Sequence, residues 1–395
     1  MNNGTIILHS GGPHEAAQHS FSFSNPTHIL TLYPEKWSLI QGENYAEGAH
    51  ANPWNSLVEH LNFSNKEADL PEWVGYLAYE MGAFSGQILP FYCPSIPLAQ
   101  FFKYDEVQIQ TASNHSIKNL KKPISLDSEA YLYTIQMIQE EIRRGDVYQV
   151  NLSHEMQRSS AVDPYLLFQK LIQNNPAPFA AYLQSDTFSI LSTSPERLIQ
   201  KKGNRLETRP IKGTAPRGNS YEEDILLSNQ LIHSEKDQAE LLMITDLMRN
   251  DLGKISLPGS VKVDKLLQVE TYSNVFHLVS TIHSRAKPAL HPVELLKAVF
   301  PGGSITGCPK ESAMKSIYKH EKRARGIYTG SIGYFSSNGN FDFNIAIRTL
   351  LYQKNTLSWG LGGAIVADSI PEREYQETLH KGAAIFHTLE HLKEM

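Results

Sequence analysis

Apolar residues recur along this chain with two distinct periods, and each predicts an element. Tyr131, Ile135, Ile138 and Ile142 fall at spacings of four, three and four, one face of a helix that Gly145 ends. "DVYQVNLSHEM" then alternates as a strand does, with Tyr148, Val150 and Leu152 on one side and Gln149 and Asn151 on the other. "SEKDQAELLMITDLMRNDLG" predicts a second helix capped by Ser234. "GIYTGSIGYFSSNGNFDFNIAIRTLLY" reads as a hairpin turning at "SSNGN". "LSWGLGGAIVADS" reads as a strand that runs into a glycine-rich turn, and "PEREYQETLHKGAAIFHTLEHL" as the last helix. Residues 1 to about 110 are mixed strand and turn, punctuated by "EWVGYLAYEMGAF". The polar stretch "TASNHSIKNLKKPISLDS", with Pro123, predicts a connection between subregions. Strands and helices mix irregularly, which excludes a simple alternating βαβ order.

Composition narrows the class. The 395 residues are 41% hydrophobic and 19% charged, with a formal net charge of −5. That is globular composition with material for a large core, as two or three domains or one layered unit. Mild acidity and the lack of a basic stripe argue against a nucleic-acid surface. Two cysteines, Cys93 and Cys308, imply neither a disulfide framework nor a cysteine-based zinc site, and suit a reducing compartment. "MNNGTIILHSGG" lacks the pattern of a signal peptide, and no segment approaches a membrane span. A soluble cytoplasmic protein is expected.

Several positions stand out chemically, each with a commoner explanation beside it. Glu240 shares a helix face with Met243, Ile244 and Leu247. It is either an edge residue reaching water or a carboxylate paired, protonated or bound to metal. Glu374, Glu377 and Lys381 share a face of the last helix, ordinarily a solvated Glu–Lys pair. Glycines in "GLGGAIVADS" just upstream let backbone N–H groups approach an anion. Two glutamates from different helices suit Mg²⁺, which takes few carboxylates and keeps waters. His277, in "NVFHLVST", is more often a core histidine than an acid or base. "FPGGSITGCPK" can offer N–H groups to a carboxylate or phosphate, but it lacks the ending of a nucleotide-binding P-loop. In "TRPIKGTAPRG", Lys212 is either an exposed turn residue or a nucleophile.

Read together and in order, "TRPIKGT", "KDQAELLMITDLMRNDLG", "VFHLVSTI", "FPGGSITGCPKESAMK", "GSIGYFSSNGNFDFNIAIRTL" and "GGAIVADSIPEREYQETLHK" resemble the chorismate-utilising enzymes. The resemblance covers roughly residues 125 to 390. It implies an α+β fold with two large, mostly antiparallel sheets packed together, helices outside and an active site in a cleft. A shortened N-terminal subregion over 1–120 would precede a chorismate-binding catalytic region over 125–392.

By the same resemblance, Glu240 and Glu377 bind Mg²⁺, with Glu374 close by and acting through water. Arg348, Tyr334, Gly362, Gly363 and Thr306 grip the substrate's carboxylates. Lys381 sits against the acids, His277 lies near the C4 hydroxyl, and Glu196, in "SPER", protonates that hydroxyl as it leaves. Water-adding relatives carry a lysine base where this chain has Gln149, which disfavours isochorismate formation. Members that make anthranilate typically read "PIAGT" at the motif that is "PIKGT" here. The lysine form implies addition of Lys212 at C2 of chorismate, followed by ammonia at C4, to give 4-amino-4-deoxychorismate for 4-aminobenzoate and folate synthesis. Arg209 and Arg217 are candidates for keeping Lys212 neutral. Ala364 departs from a family glycine, which would matter at positive φ. "NPAPFAAYL" resembles one wall of a tryptophan site found in some relatives.

The chain shows no glutaminase nucleophile of its own, so the expected partner is a glutamine amidotransferase that supplies ammonia to a monomer or heterodimer. The alternatives are anthranilate formation and a non-catalytic regulatory or scaffold subunit.

Overall fold

The computed structural model describes residues 3–10, 19–64, 69–86, 89–111, 128–218, 220–272 and 275–391. The connection expected over residues 111–128 lies almost wholly outside them, as does any boundary between 120 and 125.

The helical periodicity translates directly. Helix α1, Glu129–Arg143, buries Tyr131, Ile135 and Ile138 and ends before Gly145, whose φ is +80°. Strand β1, Gln149–Ser159, departs from simple alternation. Tyr148 lies outside it and is 60% exposed, whereas Gln149 through Ser153 are all buried. The strand is interior to its sheet and covered, so both faces meet protein and polar residues are trapped with apolar ones.

Strand β2 spans Arg197–Lys202 and β3 spans Ile211–Pro216. Helix α2, Glu235–Ile255, begins as expected at Ser234, whose side chain accepts the N–H of Asp237. Strand β4 is Val275–Arg285, helix α3 Lys310–Glu321 and strand β5 Ser331–Ser336. Strand β6 is Thr356–Ile365, and helix α4, Pro371–His391, follows it.

Among the described residues, nine strands form one sheet and twelve the other, and every pairing is antiparallel. The first sheet carries β1 beside β6 near one edge, and the second carries β3 beside β4 at its edge. This is the two-sheet architecture expected. The N-terminal segment feeds both sheets: Ile6–His9 pairs with Phe179–Gln184 in the first, and Pro71–Leu77 pairs with β5 in the second.

Ile6, Phe23, Leu183 and Ile190 from the first sheet pack with Val74, Tyr76, Phe102 and Ile332 from the second. Burying such a side chain stabilises the fold by about 1.5–3 kcal/mol. Helix α2 lies on β3 and β4, α3 on β1, and α4 on β6. The ends of β3 and β6 are thereby brought under α2 and α4. No described helix is long and apolar enough to cross a membrane.

Candidate active site

Lys212 lies in a strand, and the segment expected as a turn is β3. Lys212 is opposite Leu278 and Thr214 opposite His277, with a bulge between the two pairs. Gly213 makes the bulge. Its φ is +67°, and a Cβ there would meet Leu231 at 2.9 Å and Asp237 at 3.0 Å. A bulge re-aims the neighbouring side chain. The Lys212 side chain is only 11% exposed, and its Nζ is 3.7 Å from Oε2 of Glu240. Burial pushes its ammonium below the ordinary lysine value, with Lys381 reinforcing the shift and Glu240 opposing it.

Arg209 and Arg217, the cations expected to help, are engaged elsewhere. Arg209 pairs with Glu270, and Arg217 pairs with Asp224. Both lie outside β3, and each turns its guanidinium to its own carboxylate.

Glu196 precedes β2 and is 4% exposed. Ser304 donates a hydroxyl hydrogen bond to its Oε1 at 2.6 Å. Burial pushes the carboxyl up to about 7, against Ser304 and the field of Lys212. Near neutral pH it therefore holds a proton part of the time, within the field of Lys212, whose ammonium burial disfavours.

Three acids gather from α2 and α4. Burial raises Glu240, while Lys212 and Lys236 oppose the shift. Glu374 is 2% exposed, which no solvated Glu–Lys pattern explains. Its Oε1 accepts from Lys236 and from the Ser369 hydroxyl, both at 2.8 Å, while Oε2 is buried without a partner. Burial pushes Glu377 upward, but Lys381 at 2.8 Å, with Lys236 and Lys212, outweighs it and holds the carboxyl below its ordinary value.

Gly362, Gly363 and Ala364 lie inside β6; the glycine-rich turn expected there does not form. Ala364 faces no positive-φ strain, because its backbone is part of the strand. The glycines serve close approach instead. A Cβ on Gly360 would sit 2.3 Å from the Tyr328 ring, and one on Gly362 would sit 2.9 Å from the Tyr328 hydroxyl. A Cβ on Gly363 would reach Oε2 of Glu374 at 3.8 Å and Nζ of Lys381 at 4.0 Å. Strand β6 pairs with β1 throughout, but with Thr349–Gln353 only as far as Trp359. Beyond that point its second edge has N–H groups to offer.

The other candidates divide. His277 is 2% exposed, its Nδ1 is 2.9 Å from the Thr214 hydroxyl, and its ring meets Tyr272 edge-on. Arg348 has φ +51° and reaches Asn175 at 3.4 Å. Burial pushes its guanidinium below the ordinary value, and Tyr272 opposes this. Among the described residues no carboxylate pairs with Arg348, which suits an arginine kept for a bound anion. Gln149 is fully buried, and both polar atoms of its amide lack a partner, an arrangement that costs free energy unless a ligand answers it. The Thr306 hydroxyl is taken up locally by the carbonyl of Gly302 at 2.9 Å.

Tyr334 is not in this group. It stands on β5 with its ring against Phe21, in a separate cavity of about 330 Å³ lined also by Pro178, Phe179 and Asp342. The wall expected from "NPAPFAAYL" borders that cavity. Tyr328, six residues earlier, reaches β6 and was missed, as were Ser304 and Lys236. Nothing in the local pattern distinguishes one tyrosine of "GIYTGSIGY" from the other; only the packing of Tyr328, ahead of β5, against Gly360 and Gly362 does. Lys236 did leave a trace, being a cation in the first turn of a helix, where acids are favoured.

The donors fit a small divalent cation. Oε2 of Glu374 has no partner among the described residues, Gly363 leaves space beside it, and the acids are hard oxygen donors bridged by ammonium groups. Among the described residues no three metal-ligating side chains converge closely enough to hold an ion alone. A site with few protein carboxylates, completed by water and substrate oxygens, matches the habit of Mg²⁺.

Residues 111–387 match the family model described as chorismate binding enzyme. The chain is 46% identical to aminodeoxychorismate synthase component 1 of Klebsiella aerogenes, over 98% of this chain and 93% of the relative. It is 44% identical to the protein of that name from Bacillus subtilis strain 168, over 66% of this chain and only 56% of the relative's length. Among solved structures, anthranilate synthase component I from Streptococcus pneumoniae superposes with a TM-score of 0.79 at 27% identity, over 95% of this chain and 93% of that one.

Proposed function

The chain belongs to the chorismate-binding enzymes, and on that premise we propose that it converts chorismate and ammonia to 4-amino-4-deoxychorismate. The observation that carries the reading is the buried Lys212 amine, 3.7 Å from Glu240 and within the field of Glu196, a carboxyl able to hold a proton near neutrality. An anthranilate-forming site has no need of an amine there.

Glu240 and Glu377 would hold Mg²⁺, with Glu374 acting through water. Bound there, the ion supplies positive charge for the ring carboxylate of chorismate. Arg348, Tyr328 and the free edge of β6 take the remaining carboxylate oxygens. The neutral Lys212 amine adds at C2, both conjugated ring double bonds shift toward C4, and the C4 hydroxyl leaves as water with a proton from Glu196. His277 lies on the side of the departing hydroxyl. Ammonia then adds at C4, both double bonds shift back, and the bond from C2 to Lys212 breaks to restore the amine. Two displacements in succession keep the configuration at C4. Gln149 cannot deprotonate water, so hydroxylation at C2 has no base.

Ammonia is taken from a glutamine amidotransferase subunit, in keeping with the "component 1" in the names of the relatives. Product analysis from chorismate, Mg²⁺ and ammonium tests the reading. A product that becomes 4-aminobenzoate only after a lyase is added supports it. Fluorescent anthranilate formed directly would overturn it in favour of the pyruvate-eliminating reaction. Failure to bind chorismate would point to a non-catalytic subunit.

A further inference from the structure

Helix N-termini favour acids, and Glu235 and Asp237 in the first turn of α2 follow that preference. Lys236, between them, opposes it. Its ammonium reaches across to α4, 2.8 Å from Oε1 of Glu374, while remaining 3.9 Å from Oε1 of Glu240 on its own helix. One ammonium thus spans carboxylates from two separate helices. Their other oxygens are differently disposed: Oε2 of Glu240 faces Lys212 at 3.7 Å, and Oε2 of Glu374 is buried without a partner. The Lys236 side chain is 49% exposed, in contrast to Lys212 at 11%. Its stem leads to solvent, and the ammonium can leave without opening the core.

We propose that Lys236 is the built-in counter-ion of this acidic pair. It holds Glu240 and Glu374 together in the metal-free chain and swings into solvent when a divalent cation, held by Glu240 directly and by Glu374 through water, takes its place. The inference rests on the metal reading given above. Carboxylates carried by different helices repel when nothing positive lies between them, and that repulsion would splay α2 from α4 at the mouth of the site. A buried lysine in this role would block the cation permanently. A half-exposed one is a removable plug, and its positive charge sets how much metal the site requires.

The test is direct titration of the full chain with Mg²⁺ by calorimetry, without chorismate. Lys236→Met removes the charge and keeps most of the stem, Lys236→Arg keeps the charge, and Lys262→Met is an exposed-lysine control on another element. Lys236→Met is expected to bind Mg²⁺ about tenfold more tightly than the wild type, while the other two match it. In parallel, acylation of Lys236 in the wild type, read by mass spectrometry, is expected to rise several-fold when Mg²⁺ is added. Equal or weaker binding by Lys236→Met, or labelling indifferent to Mg²⁺, overturns the role of Lys236 and leaves the metal reading standing. A wild type that binds no Mg²⁺ brings down the metal reading and this inference with it.

Discussion

The amine of Lys212 on β3 lies 3.7 Å from a carboxylate oxygen of Glu240 on α2, the helix packed over that edge of the sheet. Two opposed effects meet in that contact. Burial favours the neutral amine, and the carboxylate favours the ammonium. Burial is the larger, so the lysine is shifted toward the form that can attack carbon while still being held in place.

Replacing Lys212 with alanine should lower formation of 4-amino-4-deoxychorismate by about a thousandfold or more. Glu240 keeps Lys236 as a partner, so the thermal midpoint should change little. A lyase-coupled assay and a melting curve check the pair of outcomes, and unaltered turnover would remove Lys212 from the mechanism.

Glu196, pushed up to about 7 by burial, loses its proton as pH rises through that value. As the donor to the departing hydroxyl it should make kcat fall on the alkaline side of about 7. Glu196→Gln should be slower by about a hundredfold or more and should lack that limb. Profiles of kcat against pH for both proteins decide the matter.

Glu80 makes a prediction about stability alone. It is 4% exposed, its Oε1 accepts the N–H of Arg325 at 2.7 Å and of Gly326 at 3.3 Å, and its Oε2 has no partner. Burial pushes it from 4.5 up to about 7, against those backbone bonds. The folded value lies above the unfolded one, so its contribution is whole below the unfolded value and is lost as pH rises through about 7. Up to about 3 kcal/mol is at stake, and Glu196 adds in the same direction. Glu80→Gln keeps an acceptor oxygen and removes the charge. Urea unfolding at acid and alkaline pH should show a shallower decline in this variant than in the wild type.

Gln149→Leu should separate stability from binding. Both amide atoms are buried without partners, so an apolar side chain of similar size should leave stability equal or higher by about 1 kcal/mol. The KM for chorismate should rise by about tenfold as the amide's contact with substrate is lost. A loss of stability with unchanged KM would mean that Gln149 is a structural residue.

Tyr328→Phe removes the hydroxyl that approaches Gly362, and the KM for chorismate should rise by about tenfold. Tyr334→Phe alters a separate cavity and should leave that constant within about twofold. The reverse ranking would restore the assignment that the sequence suggested.

Much of the fold was legible in the pattern of residues. Ile135 and Ile138 announce the buried face of α1, Ser234 announces the start of α2, and "SSNGN" announces a turn between strands. These signals are local, arising from backbone period, cap chemistry and turn chemistry within a few residues. The order of the motifs likewise carried the family, and with it Lys212, Glu196, Glu240 and Glu377.

What a face looks toward is another matter. Periodicity placed Glu240 on an apolar stripe but was silent on Lys212, and it let Glu374 pass as half of a solvated pair although it is 2% exposed. It set Arg209 and Arg217 beside Lys212 along the chain, when each is committed to its own carboxylate. It offered Tyr334 where Tyr328 stands, and a turn where β6 runs straight under a tyrosine ring. The sequence by itself determined which elements form and which chemical groups they carry. The tertiary structure decided which of those groups meet, because burial, pKa and pairing depend on side chains on separate elements, from Lys212 and Glu240 to Lys236 and Glu374, whose approach is set by strand register and helix packing.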